Sequence, residues 1–395
     1  MEICWVKSPF LSILEKGNGF ILADGISQKQ FSANENVIQL LELFSSPKSL
    51  HDIKSLIDNI PNGDLCFKFL EENHLVIKSD NIHIQNRVSL TNTRIFDLPE
   101  FNPKIDRHKI VFIGIPYGGG NHSSDDTKNF PLFIRQFTKS RNIFFKRSEK
   151  IDSNFLIDVN LNAHLKELRI CDWGNIFIHP YEAPENIYEK IFKITCDVLS
   201  LDCIPFYLGG DHSVTYPILR AFDGAKKDLS IIHIDAHTDT YRTDYEPLLK
   251  NGVHHHGNFM SHALKLPNII KCFQFGIRGV SNMYTPTEKK ISRYWVDDVR
   301  ELLNCDSTFD FLNPYDNYYL TIDIDVLDPS IAEATPTPIP NGLSIKELTI
   351  LLQRIIKGRK IIGVDLVEIS PKLDIVKNTT QIAVNTLIQI LNEIK

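Results

Sequence analysis

From Ile110 onward, short apolar runs alternate with longer amphipathic stretches. KIVFIGIP, PFYLGG, LSIIHID, NYYLTIDID and KIIGVDLVEIS are the apolar runs, and each ends at or near Gly, Pro or acidic residues. They are continuous rather than alternating, which is the signature of strands buried on both faces. ENIYEKIFKITCDVLS and SIKELTILLQRIIKG have helical periodicity. The second opens with Ser344 and Glu347 spaced as a capping box and ends at Gly358. Strands alternating with helices predict an α/β fold, a parallel sheet covered on both faces. Ligands of such sheets sit beyond the carboxyl ends of the strands.

Residues 1–90 have a different texture. ENVIQLLELF, SLHDIKSLID and GDLCFKFLEENHLVI read as three helices, the last running into a strand, and FILADG and KQF read as strands. Three short helices with flanking strands predict a small winged-helix-like domain. Residues 91–107 lack periodicity and read as a linker, leaving 108–395 as the larger domain.

Charge and cysteine usage narrow the class. A formal net charge of -6 argues against a nucleic-acid binder, which needs a basic excess. No apolar run is long enough to span a bilayer, and Glu2, Lys7, Glu15 and Lys16 interrupt the N-terminal stretch where a secretory core would lie. The seven cysteines are scattered without CxxC pairs, as expected of reduced thiols in a cytoplasm.

The apolar runs lead straight into charge. LGGDHS offers Asp211 and His212; HIDAHTD offers Asp235, His237 and Asp239; TIDIDVLDP offers Asp323, Asp325 and Asp328; VDLVEISP offers Asp365 and Glu368. Buried carboxylates without partners cost several kcal/mol or neutralise themselves, so a group at one sheet edge calls for a cation. Carboxylates with a few imidazoles and no thiolate suit a hard ion such as Mn²⁺. About six ligands exceed one tetrahedral site and fit two metals sharing carboxylates. Asp211 and Asp328 read equally well as helix or turn caps. VHHHGNFMSH carries His254, His255, His256 and His262. An imidazole with pKa near ~6.5 can pass a proton to a leaving amine, but a solvated loop or an accessory metal tract fits the same residues.

GGDHSVTYP, IDAHTDTY, TIDIDVLDPS and VDLVEISP, in this order, resemble the ureohydrolase family of arginases and agmatinases, and GIPYGGGN and NTTQIAVNTLI fit its beginning and end. The resemblance implies a three-layer α/β/α sandwich over residues 108–395, two Mn²⁺ per protomer, and hydrolysis of a guanidino group to an amine and urea. It implies that His212, Asp235, Asp239 and Asp323 hold one ion and Asp235, His237, Asp323 and Asp325 the other. Glu368 matches the carboxylate that pairs with the guanidinium, and His256 the proton shuttle, with Asp239 as a second route for the proton. His255 and His256 are candidate substrate contacts.

The departures bear on the substrate. Where free-arginine arginases place hydroxyl and amide groups for the α-carboxylate, NGVHHHG has Gly252 and His254. The family's Gly-Thr-Gly-Thr-Pro stretch is EATPTP here, with Glu333 and Ala334, and its GxxxGP is DTKNFP. The helix spacing and LVI strand of residues 1–90 resemble PqqD-like domains, which bind leader peptides of ribosomally made natural products. Residues 1–90 carry eight Lys/Arg against eleven Asp/Glu, the wrong balance for a DNA-binding winged helix. The expectation is therefore a cytoplasmic, homo-oligomeric peptide arginase that converts arginine in a precursor peptide to ornithine, without nucleic-acid or membrane partners. A small-molecule amidinohydrolase whose N-terminal domain serves assembly, and a non-catalytic binding protein of the same fold, are the alternatives.

Overall fold

The computed structural model describes residues 4–16, 19–24, 29–46, 48–78, 88–89, 93–107, 109–139, 144–146, 158–160, 169–179, 182–225, 227–242, 255–280, 288–305 and 309–394. The chain divides into two compact units. The first holds the N-terminal residues together with 177–190, and the second runs from Val88 onward through the rest.

In the first unit β1 (Cys4–Lys7) lies between β5 (Lys48–Ser49) and β6 (Val76–Lys78), antiparallel to both. A second antiparallel sheet has the order β2 (Leu11–Lys16), β3 (Gly19–Asp24), β4 (Gln30–Ala33). Helices Glu35–Leu43, Leu50–Asp58 and Gly63–Glu72 form where the periodicity places them. Asn34 and Ser49 cap the first two by accepting the N–H groups of Val37 and Asp52. Trp5, Leu22, Leu40, Leu41, Phe44 and Leu70 are buried at the centre. This is a small domain of two antiparallel sheets and three helices, with the helices in the order the sequence predicts. β1 and β2 were not legible in the sequence, because four- and six-residue strands at a chain end give little periodicity.

The second unit is built on a nine-stranded sheet, ordered β15 (Ile291–Trp295), β14 (Ile269–Ile277), β13 (Leu229–Ile234), β16 (Tyr318–Asp323), β17 (Ile361–Val367), β12 (Ile204–Leu208), β8 (Ile110–Gly114), β11 (Ile170–Ile176), β7 (Val88–Ser89). Eight strands run parallel and only β7 is antiparallel to its neighbour; β9 (Phe144–Lys146) and β10 (Asp158–Asn160) pair antiparallel in a separate two-stranded sheet. β8, β13, β16 and β17 are buried along their whole length, as their unbroken apolar runs require. Helices Ile345–Ile356 and Asn378–Glu393 share one core with the strands through Leu351, Leu352, Ile355, Leu387 and Ile390. The Ser344–Glu347 capping box is present, with both reciprocal bonds formed. The result is a three-layer α/β/α sandwich.

Residues 93–107 do not run free. Ile95, Phe96, Leu98 and Phe101 are buried, and the Ile95 N–H donates to Asp172 Oδ2 at 2.8 Å. Asp172 is itself paired with buried Arg135 at 2.7 Å. The topology makes β13, β16, β17 and β12 adjacent. These are the four strands whose carboxyl ends carry the acidic motifs, and β8 lies next to them.

Candidate metal centre

Each strand delivers its charged residue by a specific turn. After β12, Gly209 and Gly210 take positive φ (69° and 92°), and a side chain on Gly210 would press on Ile115 and Tyr117 backbone oxygens at 3.1 Å. That turn seats Asp211, whose carboxylate accepts the Gly120 N–H at 2.8 Å and the Ser213 N–H at 2.9 Å. Asp211 is thus the cap of the 3-10 turn His212–Val214, and it aims His212 inward. Asp328 likewise accepts from Ser330 and Gly342 N–H at 3.0 Å each, and the Ser330 bonds hold its carboxyl down to about 2. Asp365 is buried under three hydroxyl donors, from Thr215, Tyr319 and Thr321. None of these three points into the metal-type cluster.

The cluster itself gathers His212, Asp235, Asp239, Asp323, His237 and Asp325. His212 Nδ1 lies 3.1 Å from Asp235 Oδ2, 3.1 Å from Asp239 Oδ2 and 3.5 Å from Asp323 Oδ2. His237 Nδ1 lies 2.7 Å from Asp325 Oδ2 and 3.7 Å from Asp235 Oδ1. The donor atoms fall into two groups that could each hold an ion: His212, His233, Asp235 and Asp239, and Asp235, His237 and Asp325. Asp235 belongs to both. Asp239 (φ 48°) and Glu368 (φ 59°) both hold left-handed backbone, a conformation that costs an L side chain about 1–2 kcal/mol.

Do these residues fit a cation? His212 Nδ1 is buried without a hydrogen-bond partner. Its Nε2 lies 2.8 Å from Thr321 Oγ1, whose own proton goes to Asp365. A neutral His212 therefore carries its proton on Nε2 and turns a bare lone pair toward three carboxylates. That arrangement is repulsive unless a positive charge sits between them, and a lone pair among carboxylates is what a divalent ion such as Mn²⁺ binds.

Without an ion, protons take its place. Burial opposes a charge on His212, but the three carboxylates outweigh it and hold the imidazole well above its ordinary value. For His237 burial again opposes, and Asp325 with Asp235 pushes it up to about 12. Burial, then Asp325 and Asp235, holds the Asp323 carboxyl well above the usual carboxylate range. Ion binding must expel these protons. We expect Mn²⁺ binding to release protons near neutral pH, and apparent affinity to rise with pH. Calorimetric titrations in buffers of different ionisation enthalpy measure the count; zero protons released would contradict this charge arrangement.

Glu368 lies beside the cluster, fully buried. Its Oε1 accepts the His212 N–H at 2.9 Å and lies 3.2 Å from His256 Nδ1. Its Oε2 accepts from Asn121 Nδ2 at 3.1 Å. Burial works against both charges of the His256–Glu368 pair, but each stabilises the other: His256 is pushed up to about 9 and Glu368 lies below its ordinary value. His255 is placed differently. Its Nδ1 accepts the Gly257 N–H at 3.1 Å, and burial followed by the neighbouring His256 pushes it down to about 4. His254 lies outside the described residues.

Two residues of this region were missed by sequence reasoning. Asn121 is separated from Glu368 by 247 positions, and only the adjacency of strand ends brings them together. Its amide orientation is set by Ser123, whose N–H donates to Asn121 Oδ1 at 2.8 Å. His233 was visible in the motif HIDAHTD but carried no signal of its own.

Comparison with known proteins matches this arrangement. The family model "Arginase family" matches residues 108–392. The human mitochondrial guanidino acid hydrolase is 28% identical over 294 residues, spanning 71% of this chain and 77% of that protein. The agmatinase of Halalkalibacterium halodurans is 32% identical over 226 residues, 54% of this chain and 72% of that protein. The structure of proclavaminate amidino hydrolase from Streptomyces clavuligerus superposes with a TM-score of 0.62 at 26% identity, covering 78% of this chain and 98% of that one. With four acid-bearing turns on adjacent parallel strands and a family match across the whole of that sheet except its antiparallel edge, the chain belongs to the arginase family.

Proposed function

We propose that this protein is a manganese amidinohydrolase acting on a guanidino group, and that its substrate is an arginine side chain within a peptide. The observation that carries the chemistry is the unpartnered His212 Nδ1 amid three carboxylates, with Glu368 and His256 alongside. One ion would be held by His212, Asp235, Asp239 and Asp323, the other by Asp235, His237, Asp323 and Asp325. Bound Mn²⁺ supplies Lewis acidity and lowers the pKa of water to a usable range.

The remaining work falls to the chain. Glu368, fixed by Asn121 and the His212 N–H, offers a buried carboxylate to the planar guanidinium. Water adds to the guanidino carbon, and the C–N bond to the δ-nitrogen breaks. His256, charged beside Glu368, gives the leaving nitrogen its proton, with Asp239 as the second acid within the cluster. The products are an amine and urea.

The peptide reading is supported by the first unit and by the altered loops. Its two small sheets end in short outer strands, and an outer strand can take up an extended peptide by strand addition. The acidic balance of residues 1–90 disfavours nucleic acid. In sequence, Gly252 and His254, both outside the described residues, replace the hydroxyl and amide residues of free-arginine arginases, and a site lacking such groups recognises free arginine poorly. DTKNFP is also tied to the loop after Glu368, since Asp126 accepts from Ser370 Oγ and the Lys372 N–H at 2.7 Å each. Similarity to guanidino acid hydrolase and agmatinase supports a second reading, a small-molecule amidinohydrolase of either kind. Among the described residues no helix is long and apolar enough to cross a membrane, and we place the protein in the cytoplasm as a homo-oligomer.

Incubating the Mn²⁺-loaded protein with arginine peptides, agmatine and free arginine separates the readings. Peptides are expected to lose ~42 Da per arginine, the mass change of metal-assisted conversion to ornithine, faster than either small molecule releases urea. Faster turnover of agmatine or arginine than of every peptide would leave the small-molecule reading standing.

A further inference from the structure

His233 is grouped by distance with His212, Asp235 and Asp239 as if it were a fourth ligand. Its hydrogen bonds say otherwise. Gln274 Oε1 lies 3.0 Å from Arg293 Nε, an atom that can only donate, so that end of the amide must be oxygen. Gln274 Nε2 lies 2.7 Å from Thr238 O, an atom that can only accept, so the other end must be nitrogen. The same Nε2 lies 3.0 Å from His233 Nδ1. An amide nitrogen has no acceptor capacity, so His233 Nδ1 must be the acceptor. The proton of neutral His233 is thereby forced onto Nε2, which lies 2.7 Å from Asp235 Oδ2.

The three side chains form a row across the sheet. His233 pairs in register with Gln274, and Gln274 with Arg293, on the neighbouring strands β13, β14 and β15. His233 and Gln274 are fully buried. Since side chains alternate between sheet faces, a one-residue slip of β14 would bring Phe273 or Phe275 opposite His233 and end the relay.

We propose that His233 is a positioning residue that donates from Nε2 to the Asp235 carboxylate, not a metal ligand, and that Gln274 and Arg293 lock its tautomer. Asp235 Oδ2 is the oxygen that also faces His212 Nδ1. Donation to it orients the carboxylate shared by both donor groups and leaves its other lone pairs for cations. A lone pair on His233 Nε2 would instead repel Asp235. This inference rests on the metal reading of the cluster.

The test uses the full-length chain and Mn²⁺ alone, with titrated affinity and metal content as readouts. His233→Leu removes the donor, and His233→Gln places an amide N–H near the position of Nε2. Outer partners of this kind typically change metal affinity by ~10–100-fold. His233→Leu is expected to weaken Mn²⁺ binding by roughly that factor, with His233→Gln recovering most of it. Gln274→Met, which frees the tautomer, is expected to fall between them while the far-UV spectrum stays native. Where wild-type protein binds Mn²⁺ but His233→Leu binds it equally well, the positioning role is overturned. A loss in His233→Leu that His233→Gln does not recover overturns it in favour of direct ligation. Wild-type protein that takes up no Mn²⁺ refutes the metal reading itself, a result distinct from the other two.

Discussion

Asp235→Asn is expected to strip the protein of its two-ion complement and to lower urea release by at least about a thousandfold, more than the ~10²–10³ that one transition-state donor supplies. Asp235 is the carboxylate common to both donor groups. Its Oδ2 faces His212 Nδ1 at 3.1 Å and its Oδ1 faces His237 Nδ1 at 3.7 Å. Asparagine keeps the size and one acceptor oxygen but replaces the other with a donor and removes the charge. In the ion-free state, the substitution also removes one of the carboxylates that attract protons to His212 and His237. The variant is therefore expected to fold while failing to hold metal. Elemental analysis of the purified variant, set beside its urea assay, is the measurement. A full two-ion content in Asp235→Asn would refute the sharing of that carboxylate.

Glu368→Gln is expected to leave metal content intact and to cut kcat/KM by roughly 10²–10⁴-fold, the ~3–5 kcal/mol of leaving a buried charge without its partner. The amide oxygen can still accept the His212 N–H, so the turn after β12 keeps its anchor. The amide nitrogen then meets Asn121 Nδ2, donor against donor, and Asn121 cannot turn over without losing Ser123. His256 loses the neighbour that outweighs its burial, so its proton is expected to leave at lower pH than in the wild type. The pH–rate profile and the metal content are read together. Unchanged kcat/KM toward the best guanidino substrate would remove Glu368 from guanidinium recognition.

What was legible in the chain follows from how the strands are buried. LSIIHID, TIDIDVLDP and VDLVEISP announce themselves because a strand buried on both faces has no reason to end in carboxylates unless the ends meet at a site. β11, in contrast, reads ICDWGNI, and its Asp172 and Asn175 look like loop residues. Asp172 is buried there because Arg135, 37 positions earlier, pairs with it. That partner cannot be guessed from local pattern. The same holds for β15, ISRYW, a partly exposed edge strand whose residues show no clear alternation. Residues 93–107 lacked periodicity because the described part of the stretch folds as a single 3-10 turn, Ile95–Asp97, and irregular backbone, with Ile95 and Phe96 filling the core. His233, Gln274 and Arg293 each look ordinary in sequence. Their relation exists only in the strand register.

The left-handed backbone at Asp239 and Glu368 sets durability against chemistry at two positions. An L side chain in that conformation costs about 1–2 kcal/mol that glycine would not incur. Glycine at either position would relax the backbone but forfeit what the carboxylate holds, which at Glu368 is the His212 N–H, Asn121 and His256, so a chain that turns over substrate keeps both. Replacements that best relax the fold at residues 239 and 368 are thus the ones that empty it of function, and thermostable variants drawn from a random library should be checked at these two codons before their activity is judged.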